Sequence, residues 1–445
     1  MGAQGHLVEP AAALSTSAGS TKQRNTGRHQ TDSARAPRFA GGSRRFRSGL
    51  QHRQRLHRPD GRACDTKTLA PAKLSAEGIL KTMMADMAQP TVQERGCTVL
   101  YDMAKRGPTA QDEIAALKGI EILLKVLETH PSVQNVQMLA TCALHRVCVG
   151  HEENTVHLAS LGGMKSIVLT MAEHLAMQSL QEVGCRSLRN AAACNQHCQT
   201  KAATAGGIPA VLRAMAAHVG AASVQEAACQ ALKELAVYDA GNQESIVSEG
   251  GIPAVLRAME THIALPSIQV LACGVFRNIT ACNAEYQECV VSRGGVQTIV
   301  DAMARHIELE EVQWAGCWAL FCLCVHNPAM QEEVAAYGAG QAALRAMQEH
   351  RGEARVQEAG CWVIKELAEQ IARGGTKASL PAAAQAATKA LERHPGSEPV
   401  QTGASSALRK LAAHDTGAWV RTLCLGRCGH LGRASTRQVL AAIQE

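Results

Sequence analysis

No stretch of this chain approaches the roughly 18 consecutive apolar residues needed to cross a bilayer, which points to a soluble or peripheral protein. A dinucleotide fingerprint, a P-loop, a nucleophile elbow and a zinc-protease helix are all absent, so no local motif supports hydride transfer, nucleotide hydrolysis or acyl transfer. Acidic residues are scarce at the start. Residues 1–70 hold thirteen Lys and Arg against Glu9, Asp32, Asp60 and Asp65, a net of +9. The whole chain is +6, so residues 71–445 total −3, and the basic character belongs to the leading segment alone.

That segment has little apolar surface to bury, and runs such as Ser43-Arg44-Arg45-Phe46-Arg47 predict a disordered basic arm over 1–70. Four roles fit its composition: a solvated linker, an organelle transit peptide, leader sequence foreign to the rest, or an arm for nucleic acid or acidic membranes. Met1-Gly2 starts like a myristoylation site, but His6 stands where Ser or Thr is wanted.

What the chain has in abundance is regularity. Val92-Gln93, Val136-Gln137, Leu180-Gln181, Val224-Gln225, Ile268-Gln269, Val312-Gln313, Val356-Gln357 and Val400-Gln401 recur at a spacing of 44 residues. A fixed period in this range marks a solenoid, in which each unit buries its apolar face only against its neighbours. Six of the seventeen cysteines obey the same period. Cys97, Cys185, Cys229, Cys273, Cys317 and Cys361 share one register, with Thr141 and Ser405 replacing them elsewhere. Packed helices lie about 8–10 Å apart, beyond the ~7 Å Cα separation that a disulfide tolerates. The register cysteines therefore read as small core residues in a reducing compartment, cytosol or nucleus, although the arm leaves organelle targeting open.

Residues 238–281 show the unit. Asp239 or Asn242 caps a short first helix, and Gly250-Gly251 ends it. Pro253 sits in the first turn of a second helix with an apolar stripe at Ile252, Val255, Leu256 and Met259. A third helix runs from Pro266 to about Ala281. At ~100° per residue, positions 5, 8, 11 and 12 after the Val share its core face, occupied here by Cys273, Phe276, Ile279 and Thr280. Position 8 is Leu100, Leu144, Leu188, Leu232, Leu320, Ile364 or Leu408 in the other repeats.

Motifs such as Gly206-Gly207-Ile208-Pro209-Ala210-Val211-Leu212 and Gly184-Cys185-Arg186-Ser187-Leu188-Arg189-Asn190 resemble the armadillo repeat. In repeat style the chain is similar to the armadillo segment of the large leucine-rich-repeat kinases and to related protist and algal arrays. The resemblance implies an all-α, right-handed superhelical solenoid of about eight three-helix repeats over residues 71–415, with a tail at 416–445. Toward the end, residues 370–380 lose a recognisable first helix, and Ser435-Thr436-Arg437-Gln438 forms a capping box for a short closing helix.

Stacking turns each register into a row of side chains. His130, His174, His218, His262, His306, His350 and His394 fall at the ends of second helices, where an imidazole suits the helix dipole and bonds free carbonyls. The glutamine row, Gln93 through Gln401, predicts side-chain bonds to a neighbouring loop or helix end. In importin-like and catenin-like armadillo proteins, positions 6 and 10 carry the Trp and Asn that grip an extended peptide. Here Trp318 and Trp362 occupy position 6 and Asn190 and Asn278 position 10, never in the same repeat, which speaks against import-signal binding.

Position 9 is basic, with His145, Arg189, Lys233, Arg277, Lys365 and Arg409. One account is a solvated flank paired with nearby Glu. The other is a track in which Arg186, Arg189, Lys233, Arg277 and Lys365 meet carboxylates or phosphates of an extended acidic segment. In it Asn190 and Asn278 hold the segment's backbone, and Trp314, Trp318 and Trp362 supply an aromatic anchor. The expected function is a non-enzymatic scaffold or adaptor for a protein partner, with no cofactor, no small-molecule substrate and no metal. The alternative is nucleic-acid or membrane contact through residues 1–70, with the array as spacer. Cys194 and Cys198, and Cys424, Cys428 and His430, imitate metal ligands without a second half.

Overall fold

The computed structural model describes residues 75–281, 283–374 and 378–414, and among these it contains twenty-three α-helices and no strand. The basic arm, the Cys424 cluster and the capping box at Ser435 lie outside the described residues. A pair opens the array, α1 (Ala76–Ala85) and α2 (Pro90–Ala104). Triplets follow: α3 (Pro108–Ala116), α4 (Gly119–Thr129), α5 (Gln134–Cys148); α6 (Glu152–Ser160), α7 (Gly163–Glu173), α8 (Gln178–Cys194); α9 (Gln196–Thr204), α10 (Gly207–Ala217), α11 (Ala222–Leu235). Next come α12 (Ala240–Ser248), α13 (Gly251–Thr261), α14 (Pro266–Thr280); α15 (Ala284–Val291), α16 (Gly295–Arg305), α17 (Glu310–Cys324); α18 (Pro328–Ala336), α19 (Ala339–Glu349), α20 (Ala354–Glu366). The last triplet is α21 (Ala368–Ala372), α22 (Leu380–Arg393) and α23 (Glu398–His414), its first helix cut to five residues.

Local chemistry sets these boundaries. Asp239 caps α12, its Oδ1 accepting the Asn242 N–H at 2.9 Å. Gly250 then turns the chain at φ 85°, a conformation that favours glycine. Gly251 follows because a Cβ there would sit 2.5 Å from the Ile246 carbonyl oxygen. The second and third helices of a repeat also cross closely, since a Cβ on Gly316 would meet the Met303 side chain at 2.5 Å.

Like packs on like. Third helices stack on third helices (α2 on α5, α8 on α11, α14 on α17, α17 on α20), and second helices stack on second helices (α4 on α7, α10 on α13, α16 on α19). Third-helix neighbours touch far more extensively than second-helix neighbours, so the third helices form the shorter, inner arc. The expected core is in place: Cys97, Leu100, Leu144, Cys185, Leu188, Cys229, Leu232, Cys317, Leu320, Cys361 and Ile364 are fully buried. Cys273 and the other register cysteines carry no disulfide, and burial pushes the thiols of Cys97, Cys185, Cys229, Cys273 and Cys317 up to about 12.

The glutamine row caps second helices as expected. Gln269 Nε2 donates to the carbonyls of Met259 and His262, both at 3.0 Å, and Gln181, Gln225, Gln313, Gln357 and Gln401 repeat the pattern. The histidine row differs from its expectation. Each ring leaves its own helix end to the glutamine and reaches the preceding repeat, where Nε2 meets the carbonyl of the residue after the previous rung. His174 meets Pro131, His218 meets Leu175, His262 meets Val219 and His306 meets Ile263, at 2.7–2.8 Å. A carbonyl only accepts, so Nε2 holds the proton. The row is a chain of clasps between repeats. The backbone of each rung leaves the helical region at the C-cap (φ −115°, ψ 41° at His174), and its own helix end is already capped by the glutamine.

Candidate functional site

The inner face is built by the third helices, and a second glutamine row that the sequence reading missed fixes its edge. Gln111, Gln199, Gln243 and Gln287 lie on first helices. Each donates Nε2–H to the carbonyl of a position-10 residue on the third helix of its own triplet: Arg146 at 2.8 Å, Glu234 at 3.0 Å, Asn278 at 3.1 Å and Cys322 at 2.9 Å. The signal was available, since Gln199, Gln243, Gln287 and Gln331 are 44 residues apart. It was obscured because Thr155 interrupts the row after Gln111. These bonds occupy carbonyls that a helix end otherwise leaves open and hold positions 9 and 10 at a fixed height on the face.

The basic row divides into two chemical kinds. Lys233 pairs with Glu234 at 3.0 Å, Lys365 with Glu366 at 2.8 Å, and Arg186 with Glu182 at 2.8 Å. Each of these three cations is thus paired with a glutamate on its own helix. Arg189 and Arg277 have no carboxylate within ion-pair distance among the described residues, and instead donate to the amide oxygens of Asn190 (3.1 Å) and Asn278 (3.4 Å). Asn278 Nδ2 donates to the Lys233 carbonyl at 2.9 Å, which ties neighbouring third helices together and spends one of its two hydrogens. Asn190 Nδ2 approaches His145 Nδ1 at 3.4 Å.

His145 lies among cations. Burial is the first cause holding its ring down to about 3, followed by the charges of Arg186, Arg146 and Arg189. It is therefore a neutral ring inside a positive cluster. Arg146, at position 10, belongs to that cluster, although the expected site did not include it; its guanidinium lies over the Tyr101 ring, 5.6 Å from the centroid.

The three tryptophans of the expected anchor differ in exposure. Trp318 is 8 % exposed and packs edge-on against Phe321, centroids 5.5 Å apart, so it belongs to the core. Phe321 bridges onward to Trp362 at 5.9 Å. Trp362 and Trp314 stay half-buried. Lys365 stands over the Trp362 ring at 5.0 Å; Arg355 and Arg277 stand over Trp314 at 4.3 and 5.8 Å. One end of the face is thus cationic and the other is aromatic capped by cations.

Among the described residues, no group of three or more His, Cys, Asp and Glu is placed to hold a metal ion. At the Cys194-Cys198 motif, Asn195 uses its Oδ1 to cap α9 through the Cys198 N–H at 2.9 Å. No helix of the described residues is long and apolar enough to cross a membrane.

Residues 191–339 match the family model of the LRRK2 armadillo repeat. No curated protein matches the chain significantly. Among solved structures, a chain from work on a phosphorylation switch that controls the interaction between cadherin and beta-catenin aligns with a TM-score of 0.67 at 20% identity, over 82% of this chain and 70% of that one. An engineered protein aligns at 0.58 and 18% identity, over 84% and 100%. A computationally designed armadillo repeat protein for modular peptide recognition aligns at 0.50 and 17% identity, over 56% and 99%. These likenesses show the fold, which is that of the armadillo repeat.

Proposed function

We propose that this armadillo-repeat protein is a non-enzymatic scaffold that holds an extended acidic segment of a protein partner along its third-helix face. The carrying observation is the repeated Arg-Asn pair, Arg189 with Asn190 and Arg277 with Asn278, in which each guanidinium bonds a neutral amide rather than a carboxylate. An acidic side chain arriving there replaces a neutral acceptor by a charged one, which strengthens the bond roughly twofold. The amide oxygens then become free to accept from backbone N–H groups of the segment, while Asn278 Nδ2 keeps its bond to the Lys233 carbonyl. The two pairs are two repeats apart. At about 10 Å per packed helix they lie ~20 Å from each other, the reach of some six extended residues at ~3.3 Å each. Support for a protein ligand also comes from the fold relatives, one designed for modular peptide recognition and one concerned with a cadherin–catenin interaction.

The test is affinity capture of partners from cells by the native chain, by the Arg189→Glu, Lys233→Glu, Arg277→Glu triple variant, and by a chain lacking residues 1–70, each first checked for helicity. Loss of partners with the triple variant, and retention on deleting 1–70, supports the groove. Loss only on deletion moves the activity to the basic arm and overturns this reading.

A further inference from the structure

Resting on that reading, we propose that the α2–α5–α8 end of the face is a socket for a phosphorylated side chain of the bound segment, with Arg146 and Arg189 as its two cationic walls.

Downstream, Lys233 and Lys365 are each neutralised by an adjacent Glu, and Arg277 stands as a single cation bonded to a neutral amide. At this end Lys105 is matched by Asp102 at 3.2 Å, and Arg186 by Glu182 at 2.8 Å. Arg146 and Arg189 remain, with no ion pair among the described residues. His145, whose ring feels the charges of both, is held neutral, first by burial, so it adds no charge of its own. The local excess is therefore two positive charges, which matches the ~−1.5 to −2 of a phosphate monoester at neutral pH and exceeds what one carboxylate offers.

Geometry supports the same site. Arg146 Nε is sealed from solvent and has no hydrogen-bond partner among the protein groups. Arg146 as a whole is half-buried, so an incoming anion reaches the other nitrogens of this guanidinium rather than Nε. The Tyr101 ring lies beneath this group, 5.6 Å from its centroid, and Lys105 Nζ lies 4.2 Å from the same ring. Arg189 is braced by Asn190, which itself approaches His145. Ser187 Oγ lies 3.4 Å from His145 Nδ1 and gives its own hydrogen to the Val183 carbonyl at 2.9 Å. Two guanidiniums from successive third helices, one oriented by an aromatic face and one by an amide, suit the several oxygens of a phosphate better than lysines would.

Two degenerate nonapeptide libraries, identical except for a central phosphoserine or serine, are passed over the immobilised full chain. The expected result is at least tenfold greater retention of the phosphorylated library, with the ratio collapsing toward one in Arg146→Gln and Arg189→Gln. The charge-matched Arg277→Gln should weaken both libraries and leave the ratio intact. Arg146→Lys, which preserves charge, should also lower the ratio if fork geometry matters, and it guards against misfolding of the glutamine variant. Equal retention of both libraries, reduced by Arg277→Gln, overturns the socket and leaves the groove standing. A ratio that Arg277→Gln lowers as much as Arg146→Gln overturns it too, since the preference is then diffuse charge. Retention of neither library overturns both readings.

Discussion

His262 Nε2 donates to the carbonyl of Val219, 43 residues earlier, at 2.8 Å, and the carbonyl of His262 itself accepts from Gln269 Nε2 at 3.0 Å. One residue thus joins the cap of its own helix to the loop of the repeat before it. The motif recurs from His130 to His394, so the coupling between repeats has a hydrogen-bond component at every step. In a one-dimensional stack, stability is a sum of unit terms and neighbour terms, and this bond belongs to the neighbour term.

Replacing His262 by Phe keeps the ring and removes the donor. The expected cost is about 1 kcal/mol, within the range of a single net hydrogen bond. Urea unfolding should also show a shallower transition as neighbouring repeats uncouple. An unchanged midpoint and slope would mean that the clasp contributes nothing beyond packing.

A stabilising substitution is also expected. Gln137 Oε1 accepts from Thr170 Oγ1 of the next repeat at 2.8 Å, whereas the equivalent oxygens of Gln181, Gln269 and Gln313 are buried without a partner. The residue facing Gln181 in the Thr170 register is Ala214. Ala214→Ser offers the missing hydroxyl. It should raise stability by about 1 kcal/mol after the small helix-propensity loss. Thr170→Val should lower stability by a similar amount, and thermal melts of the two variants check the pair.

Acid should destabilise the array through His145. Its folded value is about 3 against an ordinary 6.5, so between those limits the unfolded chain binds a proton that the folded chain does not. Stability therefore falls as pH drops from about 6.5 toward 3, with a ceiling of ~1.4 kcal/mol per pH unit. The ring keeps some exposed area, which places the real slope below that ceiling. A His145→Gln variant should lose less melting temperature than the native chain between pH 7 and pH 5. Equal losses would show that the ring protonates freely in the folded state.

The register cysteines should be silent in the native protein. Buried thiols held up at about 12 contain almost no thiolate at neutral pH, and the thiolate is the nucleophile. Alkylation mapped by mass spectrometry at pH 8 should leave Cys97, Cys185, Cys229, Cys273 and Cys317 unmodified until denaturant is added. Partly exposed Cys289 serves as the internal comparison.

The sequence by itself determined the period, the three-helix unit, the core register at Leu100 through Leu408 and the helix-capping glutamines. Each of these depends on residues within one repeat, where helix periodicity and capping rules act. Only the tertiary structure decided the partner of each histidine, the burial of Trp318, the first-helix glutamines beneath the face, and the division of the basic row into ion-paired and unpaired members. The histidine and first-helix glutamine contacts span 35 to 43 residues of chain, whereas the partners in the basic row and of Trp318 lie only one to four residues away and were chosen by side-chain direction. A period states that a residue recurs, but the rotation and offset between stacked repeats fix what it meets.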